Sequence, residues 1–196
     1  ALKFREQEAS FLGGVIAALS SKTKAIGFVG GMDVPLIHKF EAGYKAGAAW
    51  ADLKVKVLSA YAGVTPEAFK DPSKGKELAL SQIGRGADII YHASGSTGLG
   101  VFEAARDKKI LAIGVDSDQY QDAPGFVLTS VTKQVDEAVF RAIKAAKDGK
   151  PLKGILELGL KEKGVDYVYD ADNQALVPAA ARAKAEEARH LIIAGK

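Results

Sequence analysis

The sequence predicts a doubly wound α/β layer on a mainly parallel sheet, and three observations carry that prediction. Short apolar runs recur along the chain, helix-period stretches fill the gaps between them, and Gly, Pro or Ser stands at most junctions. Strands that are apolar almost throughout belong to parallel sheets buried on both faces. Right-handed βαβ crossovers then place the intervening helices on both sides of the sheet.

The stretch from Glu6 to Leu19 reads as a helix, and its stripe of Phe11, Leu12, Val15, Ile16 and Leu19 needs a cover. That cover is either one face of the sheet that follows or a sheet encoded elsewhere. Ala25 to Val29 is the first strand, closed by Gly30 and Gly31. From His38 to Ala51, Phe40, Tyr44, Ala48 and Ala51 recur at helical spacing, and Val55 to Tyr61 forms the next strand before Gly63 and Pro66. Lys74 to Gly84 repeats the helical pattern with Leu78, Leu80 and Ile83, and Asp88 to His92 is the third strand. A helix from Thr97 to Arg106 follows, then strands at Ile110 to Val115 and Phe126 to Val131. The helix over Gln134 to Lys147 stops at Gly149 with Pro151 just beyond, the usual C-terminal punctuation. Ile155 to Leu160 and Val165 to Tyr169, with Gly164 between them, predict a hairpin, and a last helix runs from Pro178 to Ile193.

Composition narrows the function classes. At roughly 150 residues per domain, 196 residues make one generous domain or a complete domain carrying part of another. There is no cysteine, which removes disulfides, thiolate metal sites and cysteine nucleophiles, and the three histidines form no ligand pair. A metal site is therefore not expected, and neither is a cofactor. The net charge of +3 is spread among acidic residues, which argues against nucleic acid as a partner. No run reaches the roughly 18 apolar residues that span a bilayer. The first residues lack the order of a secretion signal, so a leader, if the protein is exported, is expected upstream of Ala1.

In doubly wound sheets ligands bind beyond the carboxyl ends of the strands, so the loops that follow strands hold the candidates. The run Ser94-Gly95-Ser96-Thr97-Gly98 lacks the lysine of a phosphate loop and the spacing of a dinucleotide fingerprint, and reads equally as a turn or a binding loop. Asp116, directly after a buried strand, suits a pair of ligand hydroxyls or a capping role. Phe40 is either core or a stacking platform, and Lys133 either donates to a ligand or lies in solvent. No nucleophile elbow, cysteine nucleophile or distinct carboxylate pair supports catalysis.

Four motifs resemble one family. They are E-A-S-F-L-G-G-V-I-A-A-L from Glu8, G-F-V-G-G-M-D-V-P-L-I-H-K-F-E-A-G-Y from Gly27, H-A-S-G-S-T-G-L-G-V from His92 and G-V-D-S-D-Q from Gly114. Together they are similar to the basic membrane protein family, solute-binding lipoproteins of ABC transporters related to purine nucleoside receptors. The resemblance implies a type I periplasmic-binding fold, two α/β lobes joined by three crossing strands that close on a ligand without catalysis. It implies that Phe40 stacks a base, that Ser94 and Gly95 line the cleft, that Asp116 bonds ribose hydroxyls or a base edge, and that Lys133 donates to the ligand. A nucleoside ligand, an ABC permease partner and a lipid anchor on the outer face of the membrane or in the periplasm are implied with it. Family members also carry most of an N-terminal lobe before the point matching Ala1. On that basis residues 1–22 and 125–150 are expected to belong to the N-terminal lobe, as a helix and as a crossing strand with its helix. Residues 23–124 would form the C-terminal ligand-binding lobe, and 151–196 its return hairpin and final helix. A ligand-sensing regulator or a small-molecule enzyme on the same scaffold is the competing expectation.

Overall fold

A computed structural model describes residues 1–196. The elements in order are β1 (Leu2–Phe4), α1 (Glu6–Ser20), β2 (Ala25–Met32), α2 (Pro35–Ala51), β3 (Lys56–Gly63), α3 (Pro72–Gly84), β4 (Ile89–Ala93), α4 (Gly98–Lys108), β5 (Leu111–Asp116), β6 (Val127–Lys133), α5 (Val135–Lys147), β7 (Leu156–Leu158), β8 (Val165–Tyr167) and α6 (Ala179–Ile193). Six strands form one sheet in the order β3-β2-β4-β5-β6-β8. All neighbours are parallel except β8, which runs antiparallel to β6. The order reverses between β2 and β4, so their carboxyl ends diverge and leave a crevice there.

Helices α1, α2 and α6 cover one face and α3 and α4 the other. Alternate residues of each strand divide between the two cores. Ile26 and Phe28 of β2 join the larger one with Leu12, Ile16 and Tyr44, while Val29 joins Val101 and Phe102 on the opposite side. Helices α1 and α2 pack closely. A Cβ placed on Gly47 would lie 1.9 Å from the Phe11 carbonyl oxygen, and one on Gly43 would lie 2.2 Å from that of Gln7. Glycines four apart on α2 thus let backbone meet backbone.

Three sequence expectations are corrected. The stripe of α1 finds its cover within this chain: Ala9, Leu12, Val15 and Ile16 are fully buried in the core shared with the sheet, α2 and α6, so the helix is not stranded from an absent lobe. A short strand, β1, precedes that helix where none was expected. The segments around Leu156 and Tyr167 are no hairpin: β7 pairs in parallel with β1, Leu2 opposite Leu156 and Phe4 opposite Leu158, whereas β8 joins the main sheet. Two apolar runs flanking a glycine mimic a hairpin in sequence, but each run has a better partner far away along the chain. β6 lies between β5 and β8 inside the main sheet, and from its end at Lys133 the chain passes to α5.

What stands apart is α5 together with the β1–β7 ribbon. Of α5 only Ala138 is buried, while Phe140 and Ile143 are 61% and 63% exposed, with Val135 and Val139 completing the stripe. Three chain passages join this part to the main sheet, and hydrogen bonds tie them together. Arg5 N–H donates to the Leu158 carbonyl at 3.0 Å, Gln134 N–H to that of Gly164 at 2.9 Å, and Leu160 N–H to Glu8 Oε2 at 2.8 Å. Because the α5 stripe contacts so little, Phe140→Asp with Ile143→Asp should change the stability of this chain by less than about 0.5 kcal/mol in urea denaturation. A loss above about 2 kcal/mol would show that the stripe is core.

Candidate ligand-binding site

The crevice at the reversal of strand order contains a cavity of about 220 Å³, lined by Leu36, Ile37, Phe40, Phe69, Ala93, Ser94, Gly95, Val115, Asp116 and Lys133. All five residues singled out in the sequence are on it. They arrive from four loops or strand ends: Phe40 from the first turns of α2, Ser94 and Gly95 from the end of β4, Asp116 from the last position of β5, and Lys133 from the last position of β6.

Phe40, Leu36 and Ile37 reach the cavity because Pro35 opens α2 at its first turn, where a missing N–H costs nothing. Phe40 is 4% exposed, so most of its ring also serves the core. A network on the outer side fixes that turn. Tyr61 donates its hydroxyl to Glu41 Oε2, Lys45 Nζ lies 2.5 Å from Glu41 Oε1, and His38 Nε2 lies 2.7 Å from Asp33 Oδ1. Burial raises the pKa of Glu41, but the bonds from Lys45 and Tyr61 outweigh it and hold the carboxyl at about 2. The hydrogen bond to Asp33, then that to Glu41, raises the pKa of His38.

At the opposite wall Lys133 Nζ lies 3.1 Å from Asp116 Oδ1 and 5.8 Å from the centre of the Phe40 ring, with the Phe4 ring at 5.9 Å on another side. The ammonium group thus bridges a carboxylate and two aromatic faces, within the range of a cation–π contact. Asp116 is half-exposed and has φ +68°, in the left-handed region. Aspartate is among the few side chains that visit it readily.

Gly95 also has a positive φ, +56°, and a Cβ there would stand 3.1 Å from the Phe69 carbonyl oxygen. Ser94 lines the cavity at its floor, where it is fully buried with its hydroxyl 3.4 Å from His92 Nδ1. Phe69, Leu36 and Ile37 were not singled out in the sequence. Phe69 follows the second predicted strand in P-E-A-F, and its place after a strand was the signal that could have found it.

His92 underlies this floor. Complete burial lowers its pKa to about 4 against a partial opposing pull from the Gln119 hydrogen bond. Below pH 6.5 the unfolded chain takes up a proton on this ring that the folded chain refuses until about pH 4. Its contribution to stability is therefore complete above pH 6.5 and is lost as pH falls toward 4, by about 3 kcal/mol in all. Urea denaturation at pH 7 and pH 4 should show this fall, and His92→Gln should flatten it by about that amount. An equal fall in the variant would contradict the assignment.

Two shallower depressions continue from the cavity across Lys133. One, of about 360 Å³, lies between Phe4, Glu6, Leu36 and Lys39, and the other, of about 700 Å³, runs between Asp116, Asp136, Asp166 and Asp170 toward α5. Small-molecule sites usually enclose about 300–1,000 Å³, so the cavity of about 220 Å³ is small for one by itself. Its equipment is an aromatic face, a carboxylate, an ammonium and a glycine turn. Such a set can hold a polar ring compound by stacking and hydrogen bonds.

Comparison with known proteins places this arrangement. The chain is 38% identical to the ABC transporter nucleoside-binding protein BmpA of Lactococcus lactis, over 93% of its own length and 56% of that protein's. It is 41% identical to an uncharacterized lipoprotein of Pyrococcus abyssi, over 86% of this chain and 44% of that one. The chain thus spans about half the length of the curated relatives it matches. A solved ABC transporter solute-binding protein from Aeropyrum pernix superposes on 99% of the chain, and on 64% of its own, with a TM-score of 0.86 at 28% identity. The fold is accordingly of the type I periplasmic-binding kind. The family model described as ABC transporter substrate-binding protein PnrA-like matches residues 1–194, and the chain belongs to that family.

Proposed function

We propose that this chain is the C-terminal lobe and hinge of a solute-binding protein that delivers a purine nucleoside to an ABC permease, without catalysis. The observation that carries this reading is the convergence of Phe40, Asp116, Lys133 and Gly95 on one crevice at the strand-order reversal. A nucleoside needs an aromatic face for its base, an acceptor for its vicinal hydroxyls and donors for its remaining oxygens. Phe40 would stack the base, Asp116 would accept from the ribose hydroxyls, and Lys133 would turn from Asp116 toward a ligand oxygen. The name of the Lactococcus relative supports the ligand class.

The full-length protein would supply the second wall. In this reading α5 and the β1–β7 ribbon belong to the N-terminal lobe, whose other elements cover the Phe140–Ile143 stripe. The passages at Arg5, Gln134 and Leu160 would be the hinge about which the lobes close. The lipoprotein name of the Pyrococcus relative supports an anchor on the outer face of the membrane. Titration of guanosine into the full-length protein and into residues 1–196 tests the division of labour. Saturable binding by the full-length protein and far weaker binding by this chain are expected. Equal affinities would show that one wall suffices and would sink the two-lobe reading.

A further inference from the structure

Asp116 is held in an unusual conformation, and the residues that hold it lie outside the cavity. Its φ of +68° is closed by a hydrogen bond from Ser117 N–H to the Val115 carbonyl at 2.8 Å. This is a γ-turn of the rare, strained hand, which persists only where the surroundings impose it.

The side chain that reaches the start of this turn is that of Gln119. Its Oε1 accepts from Val115 N–H at 2.8 Å, immediately before the turn, and lies 2.9 Å from His92 Nε2. An amide oxygen only accepts, so His92 carries its proton on Nε2 and leaves Nδ1 to accept from Ser94. The orientation of the Gln119 amide is set at its other end, where Nε2 donates to Asp122 Oδ2 at 3.0 Å. Gln119 N–H donates to Ser130 Oγ at 3.0 Å, anchoring the far end of the loop to β6. Gly114 makes room for the side chain, since a Cβ there would stand 2.9 Å from Gln119 Cβ. His92 cannot shift in turn. Its ring is edge-on to Phe102 with centroids 5.0 Å apart, and a Cβ on Gly98 would come within 2.1 Å of it. One glutamine therefore joins the β4 end that carries Ser94 and Gly95 to the β5 end that carries Asp116.

We propose that Gln119, braced by buried His92, is a positioning residue for ligand binding: it holds the left-handed turn that presents the Asp116 carboxylate to the cavity. The proposal rests on the nucleoside reading for its ligand, but its geometry is tested without one. Gln119→Met keeps the packing over Gly114 and removes the polar atoms. In residues 1–196, residual dipolar couplings should report a positive φ at Asp116 in the wild type and its loss in Gln119→Met. The ¹⁵N spectrum of the wild type should show the Nε2–H tautomer of His92. In the full-length protein the same substitution should weaken guanosine binding about tenfold in calorimetry. In an Asp116→Asn background it should have little further effect, because the group it positions has already lost its charge. A positive φ retained in Gln119→Met, an Nδ1–H tautomer at His92, or an equal loss of affinity in both backgrounds each overturns the proposal. The first two outcomes are independent of whether any nucleoside binds.

Discussion

Asp116→Asn in the full-length protein is expected to weaken purine nucleoside binding about a hundredfold. Asparagine keeps the size of the side chain and tolerates the φ of +68° that this position demands, so the backbone should survive the change. What is lost is the charge. Hydrogen bonds to an ionised group contribute about 1.5–3 kcal/mol each, against about 1 for neutral ones. Two ribose hydroxyls on a neutral amide, with one of its ends a donor, would forfeit roughly 3 kcal/mol, or two decades of affinity. Lys133 would also lose its partner at 3.1 Å. Asp116→Ala should cost more, since alanine adds about 1–2 kcal/mol of strain in the left-handed region. At Phe40 the informative change is Phe40→Leu, which keeps the side of the residue buried in the core and removes the stacking face. Phe40→Ala would confound binding with about 3–5 kcal/mol of lost core. Calorimetric titration reads all three variants. An Asp116→Asn affinity within twofold of the wild type would remove this residue from the site.

A large effect on stability is expected at Gly47, which does not line the crevice. A methyl group there would overlap the Phe11 carbonyl, which belongs to a helix backbone and cannot rotate away. Helices α1 and α2 would have to separate along a seam that also contains Gly14, whose Cβ would lie 2.1 Å from the Tyr44 carbonyl oxygen. Separation loosens the contact of Leu12, Ile16 and Tyr44, all fully buried. Alanine gains about 1 kcal/mol of helix propensity over glycine, and overpacking costs about 1–3 kcal/mol or more. With backbone as the obstacle, a net loss of about 3 kcal/mol is expected for Gly47→Ala. Gly47→Val should leave little folded protein, given total stabilities of about 5–15 kcal/mol. Gly84→Ala is the control. It closes α3 with nothing within 4 Å of the added methyl, and should be neutral or stabilising. Chemical denaturation of the three variants decides the matter, and a Gly47→Ala protein as stable as Gly84→Ala would contradict the close helix approach.

Which features the sequence made legible follows from the physics of each. β2, β4 and β5 are readable because a parallel strand buried on both faces is apolar almost throughout, whereas β3, at the edge and only partly buried, shows through Val57, Leu58, Ala60 and Tyr61. β1 and β7 have three residues each, too few for any period to show, and their pairing joins chain segments more than 150 residues apart. The stripe of α1 was plain, but its cover was not: the partners include α6, which closes the chain and comes back over the sheet. The glycines of α2 at positions 43 and 47 mark that contact in retrospect. That Phe40, Gly95, Asp116 and Lys133 line the crevice is legible because loops after parallel strands converge there. Phe69 obeys the same rule, standing after the second strand. The burial of Ser94 and the grip of Gln119 on the Asp116 turn depend on side-chain direction, which spacing does not encode.

The central claim is that this crevice is one half of a nucleoside site. Calorimetric titration of guanosine into the full-length protein tests it most directly. Saturable one-to-one binding with a negative heat-capacity change, reduced about a hundredfold by Asp116→Asn, is the expected result. Absence of saturation at millimolar guanosine, or binding that Asp116→Asn leaves intact, would contradict it.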